Sequence, residues 1–217
     1  MTVSLATFRD EIDALRDVGA LFYENRWSLG TSSNYSIVLK HEPFQLLLTA
    51  SGKDKRRLGP TDFVLVDSQG KPLETTTEKP SAETALHLVL GQQREVRSVL
   101  HTHSVWGTIL SDLYAAAGGF WIEGYEMLKG LAGIGTHEHR QWVAIFPNTQ
   151  DIPALAGTVR QRLSDRDNPL RHGFLIQRHG LYTWGRDVHE ARRHVEIYEF
   201  LFEVLGRRLS IPLKQPI

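Results

Sequence analysis

Strand-length apolar runs and helix-length amphipathic segments alternate along the chain with no linker between them, and this constrains the fold most. Leu5, Phe8, Ile12, Leu15, Val18 and Leu21 recur every three or four positions, which predicts a helix over 5–27, closed by the loop Gly30–Ser33. Strands are expected at 35–39, 44–49, 63–67, 96–103 and 142–146, with a strand pair over 173–184 turning at His179-Gly180. Helices are expected from Pro80-Ser81 to 90 with Ser81 as the cap, and over 106–117, ended by Gly118-Gly119. Two more are expected over 152–163 and 188–209. The reading is one α/β domain over residues 1–217, with helices on both faces of a mixed sheet.

Composition removes several function classes. The 217 residues include no Cys, so a disulfide framework, a cysteine zinc site and a thiol nucleophile are excluded. Lys+Arg and Asp+Glu are 25 each, which argues against DNA, RNA or an anionic membrane as the main partner. No apolar run approaches the length of a membrane span. Arg9, Asp10, Glu11 and Asp13 break any signal-peptide core. A soluble, cytoplasmic protein is expected, and its ten histidines become the feature to explain.

His101-Thr102-His103 ends an apolar strand run. Residues i and i+2 of a strand share a face about 7 Å apart, so both imidazoles suit one metal, or equally a hydrogen-bonded strand edge. His137-Glu138-His139 has the same spacing in a stretch without strand periodicity and reads as a polar loop. Along 172–179, alternation puts His172 and His179 on opposite faces; His179, at the turn, is freer to reach a metal, while His172 reads as surface. His101, His103 and His179 together would leave one position open on a tetrahedral zinc, as a catalytic site requires. Glu83 reads first as an acid near a helix start, and Glu126 as a surface partner of Lys129. A partly buried Glu126 would instead suit proton transfer. The loops 30–34 and 49–53 offer backbone amides, hydroxyls and a cation to an anion, and Ser81 adds helix-start amides. Neither loop is a Walker or Rossmann motif.

Taken in chain order, Ser33-Asn34-Tyr35-Ser36, Thr49-Ala50-Ser51-Gly52, Pro80-Ser81-Ala82-Glu83, His101-Thr102-His103 and Arg178-His179-Gly180 resemble the class II aldolase/adducin family. The resemblance implies a three-layer α/β/α sandwich around a mixed, largely antiparallel sheet, and a homotetramer with sites at subunit interfaces. It implies one zinc on His101, His103 and His179, and a sugar phosphate held by Ser33, Asn34, Ser51, Gly52, Lys53 and Ser81. Tyr125–Gly130 and Phe146–Ile152 are similar to the family's dehydratases of methionine salvage, which remove water from a methylthio-bearing ketose 1-phosphate. The family's aldolases and 4-epimerases share the histidines but not this block. The dehydratases imply Glu126 as the acid/base and the aldolases imply Glu83; the expectation is that Glu126 moves the C3 proton and helps the C4 hydroxyl leave. Ala82 departs from the aldolases, which often carry a second serine there. Phe120, Trp121 and Met127 could wall a methylthio group, but core packing is the expectation for them. A non-catalytic, adducin-like interaction domain is the remaining alternative.

Overall fold

The computed structural model describes residues 4–165 and 170–211. Its first helix, α1 (Arg9–Glu24), is shorter than the periodicity predicts. Leu5–Thr7 forms a separate 3-10 turn, and Asn25, whose side chain donates to the Leu21 carbonyl, ends the helix before Arg26 at φ 64°. Eight strands follow, β1 (Asn34–His41), β2 (Phe44–Thr49), β3 (Phe63–Val66), β4 (Ser98–Thr102), β5 (Gly119–Ile122), β6 (Gln141–Phe146), β7 (Gly173–Ile176) and β8 (Gly180–Gly185). They form one sheet in the order β3-β2-β1-β4-β8-β7-β6-β5. Every neighbouring pair is antiparallel except β6–β7, which are joined through helix α4 (Ile152–Leu163). A parallel pair needs such a crossover, and the antiparallel pairs do not.

Strand alternation assigns the layers. Tyr35, Ile37, Leu47, Leu65 and Leu100 pack with Ile12, Leu15, Val18 and Phe22 of α1 and with Val195 of helix α5 (Val188–Ser210). Leu175, Leu181 and Val143 continue that face beneath helix α3 (Val105–Leu113) and α5, through Leu110, Tyr198 and Phe202. Val99, Phe146, Phe174, Ile176 and Tyr182 point the other way, onto α4 and helix α2 (Thr84–Gly91). The result is the expected three-layer α/β/α sandwich, with α1, α3 and α5 on one face and α2 and α4 on the other.

Three local expectations are corrected. The α2 helix begins at Thr84 rather than 81: Ser81 instead makes a turn, its Oγ accepting from the Glu83 amide and its carbonyl from the Thr84 amide. The region 106–117 is a helix to Leu113 and then a 3-10 turn, and β5 follows unannounced. Gly119 opens it at φ 150°, where a Cβ would stand 2.4 Å from the Val143 carbonyl oxygen. Only Phe120 of the three residues expected in the core is buried; Trp121, on the edge strand β5, and Met127, in the 3-10 turn Glu126–Gly130, are exposed. No helix of the described residues is long and apolar enough to cross a membrane.

Candidate metal centre

The centre sits where β4, β1 and the β7–β8 turn end together. His101 is the penultimate residue of β4 and His103 follows it, its amide donating to the Trp27 carbonyl. His179 occupies the β7–β8 turn, held by the Arg178 amide donating to Ser111 Oγ at 2.9 Å. Gly180 is required there: a Cβ would lie 2.0 Å from the Thr102 carbonyl oxygen and 3.0 Å from His101 Cε1. The three rings form a nearly equilateral cluster, with centroids 4.6, 4.7 and 5.0 Å apart. One nitrogen from each lies within 4.8 Å of the others.

The donor chemistry fits a divalent cation. His101 Nδ1 donates to the Leu181 carbonyl at 2.9 Å, which leaves the Nε2 lone pair for a ligand. His101 Nε2 and His103 Nε2 stand only 2.8 Å apart. Burial, reinforced by the neighbouring imidazoles, holds the His101 pKa well below the ordinary histidine value and pushes that of His103 down to about 2. Both are therefore neutral, as metal ligands must be. Glu83 completes the set, with Oε1 3.3 Å from His179 Nε2 and Oε2 3.5 Å from His101 Nε2. Its Oε1 is buried and makes no hydrogen bond, an orphaned acceptor beside the imidazole cluster. A cation held by the three imidazoles would offset that buried carboxylate and leave it free to accept a proton.

A polar chain aims Glu83. Asn34 Nδ2 donates to Glu83 Oε2 at 2.7 Å and to Ser81 Oγ at 3.2 Å. The Asn34 amide oxygen accepts from His87 Nε2, and His87 Nδ1 in turn meets Ser36 Oγ at 2.8 Å. That tautomer fixes which end of the Asn34 amide faces the carboxylate. Behind the ligand strand, Thr102 Oγ1 donates to the buried Glu199 of α5 at 3.2 Å. Burial pushes the Glu199 pKa up to about 7. The folded state therefore holds this proton more tightly than the unfolded chain, so the stability it contributes is full below about pH 4.5 and lost as the pH rises through 7. Glu199→Gln, neutral throughout, is expected to remove that decline, roughly 3 kcal/mol at pH 8, in denaturant titrations at pH 5 and pH 8.

A cavity of about 390 Å3 opens beside the triad. Ser33, Asn34, Ser51, Gly52, Ser81, Glu83, His103 and His179 all line it, so most of the residues expected at the site converge there, with His101 buried behind them. Two do not. Lys53 does not line the cavity: its Nζ pairs with Glu78 at 2.9 Å and Asp62 at 3.0 Å. Lys55, which no motif or spacing singles out, lines it instead. It sits in the 3-10 turn Lys55–Arg57, started by Asp54, whose side chain accepts from the Arg56 amide. Gly19 of α1 lets that turn pack close, since a Cβ there would meet the Lys55 carbonyl oxygen at 2.3 Å. Lys55 is 1% exposed, and burial lowers its pKa to about 8.

Glu126 is the second. Its side chain is 70% exposed and pairs with Lys129 at 2.6 Å, with His137 Nδ1 3.6 Å away. The register explains the separation. Phe146 pairs with Ile176 at the metal end of the sheet, whereas Ile122 pairs with Gln141 at the other end, four residues before Glu126. Laterally, β5 lies four strand spacings from β4, about 19 Å. Glu126 is thus remote from the triad of its own chain. His172 also departs from its expected surface position: it is half-buried at φ 62°, with Nε2 donating to the Ala132 carbonyl at 2.7 Å. His137 and Glu138 are exposed in a loop, as expected, and only His101, His103 and His179 form a candidate metal cluster among the described residues.

Residues 13–205 match the family described as Class II Aldolase and Adducin N-terminal domain. The chain belongs to that family. A methylthioribulose-1-phosphate dehydratase of Marinobacter nauticus is 45% identical over 188 residues, 86% of this chain and 88% of the relative. That of Stenotrophomonas maltophilia is 49% identical over 186 residues, 84% of each. Among solved structures, an L-fuculose 1-phosphate aldolase superposes with a TM-score of 0.74 at 22% identity, covering 95% of this chain and 91% of that one. This last likeness bears on the class II aldolase fold alone.

Proposed function

We propose that the chain is a lyase that dehydrates 5-methylthioribulose 1-phosphate to 2,3-diketo-5-methylthiopentyl 1-phosphate and water, a step of methionine salvage. The observation that carries this reading is the triad with Glu83, facing a hydroxyl-lined cavity in a chain 45% identical to a dehydratase of that name. His101, His103 and His179 would hold one zinc ion per chain. When bound, it supplies a Lewis acid that acidifies the proton beside the substrate ketone. The chain's own residues do the rest. Glu83 is the carboxylate beside that position and takes the C3 proton, while Asn34 keeps it oriented. The C4 hydroxyl leaves as water, and the enol so formed rearranges to the diketone. Ser33, Ser51, Gly52 and Ser81 take the phosphate end.

Glu126 takes part as the second acid/base, assisting departure of the C4 hydroxyl. Its remoteness from its own triad supports a place for it in a neighbouring chain's site, in a homotetramer with sites at subunit interfaces. The setting is the cytoplasm, with a small sugar phosphate as the partner and neither nucleic acid nor membrane.

Proton NMR of the zinc-loaded protein with 5-methylthioribulose 1-phosphate in deuterated buffer tests the reaction. Loss of the C3 proton signal with growth of a diketone or its enol is the expected result. Separate aldehyde and dihydroxyacetone phosphate signals would make the chain an aldolase, and an isomer of unchanged mass an epimerase. Untouched substrate in the presence of bound zinc would overturn the dehydratase reading in favour of another sugar phosphate, and a protein that takes up no zinc would leave the adducin-like interaction domain.

A further inference from the structure

We propose that Lys55, rather than Lys53, is the cation that binds the substrate phosphate. The inference rests on the reading above for the molecule that carries the phosphate, and on the geometry for the residue. Lys53 is already neutralised by Glu78 and Asp62 and lies outside the cavity. Lys55 has the opposite surroundings. Its Nζ donates to the Lys53 carbonyl at 2.8 Å and the Thr31 carbonyl at 3.5 Å and forms no ion pair among the described residues, Asp54 and Asp62 acting on it only from a distance. An ammonium has three N–H donors and no acceptor, so at least one donor remains unused.

A charge so deeply buried is retained at a cost unless an anion joins it. The cavity that Lys55 lines is furnished for one, with the hydroxyls of Ser33, Ser51 and Ser81. It also contains Gly52 at φ 72°, where nothing lies within 4 Å of an added Cβ, so the backbone is open to a ligand. Glu83 is the carboxylate on the metal side of the same cavity. A phosphate dianion entering the same cavity needs a positive group to offset that carboxylate, and Lys55 supplies it. On this assignment the reacting oxygens face the triad and the phosphate faces the turn at 55–57.

The test is calorimetric binding of inorganic phosphate to the zinc-loaded protein, which needs no turnover. Lys55→Met is expected to weaken phosphate about tenfold or more, whereas Lys53→Met stays within about threefold of the parent. Thermal melting shows that each variant is folded. Because the chain has no cysteine, Lys55→Cys introduces a single thiol. Aminoethylation of that thiol in denaturant, followed by refolding, rebuilds an ammonium of lysine length and is expected to restore binding; carbamidomethylation is not. The parent carried through the same cycle is the reference. Phosphate binding unchanged in Lys55→Met, absent in the parent, or not restored by aminoethylation would overturn the assignment. Lys55-dependent phosphate binding in a protein that fails to dehydrate the substrate would overturn the proposed reaction and support the subsite.

Discussion

Glu83→Gln is expected to bind zinc at the parent stoichiometry and to lose activity by about 10²- to 10⁴-fold, the usual contribution of a positioned acid/base. The substitution is nearly isosteric. A glutamine oxygen still accepts from Asn34 Nδ2, so the chain from His87 through Asn34 stays satisfied and the fold is undisturbed. What disappears is the proton-accepting oxygen 3.3 Å from His179 Nε2. Zinc content by mass spectrometry beside kcat separates the roles: loss of metal together with activity would make Glu83 a ligand, and retained activity would remove it from the reaction.

Mixing two inactive variants is expected to regenerate activity. His103→Ala removes one of three ligands, and Glu126→Gln removes the carboxylate that stands about four strand spacings from its own triad. If each site joins the triad of one chain to Glu126 of its neighbour, a randomly mixed oligomer contains some sites with both parts intact. Those are sites where a Glu126→Gln chain supplies the histidines and a His103→Ala chain the glutamate, about one site in four for an equal mixture in a symmetric ring. Co-expression followed by activity measurement reads this directly. No recovery from the mixture would confine Glu126 to its own chain's site, and an active Glu126→Gln parent would dismiss it altogether.

The histidine cluster was legible because its determinants are local. An i, i+2 pair at the end of an apolar run and a histidine before glycine at a turn are visible in the letters, and the structure adds the reason for Gly180, the close passage of the Thr102 backbone. Glu83 was legible as an acid near a helix start and nothing more. Its use depends on Asn34 and His87, 49 residues before it and four after, and on burial that no periodicity reports. Lys53 and Lys55 could not be told apart, because the acids that claim Lys53 stand at positions 62 and 78, and because a 3-10 turn, not a strand, sets where Lys55 points. β5 escaped notice for being four residues long and glycine-flanked, and without it neither its edge position nor the exposure of Trp121 could be foreseen.

The spread of the ligands along the chain has a consequence for synthesis on the ribosome. His101 and His103 emerge together, but the third imidazole follows 76 residues later, on a turn held by β8 pairing back onto β4. A nascent chain halted before residue 179 offers only two of the three imidazoles, and metal capture at full affinity would wait for His179 and the β8 pairing that holds its turn. Supply of whatever metal the cluster takes would therefore bear on maturation after the third imidazole is made and leave the early steps of folding alone.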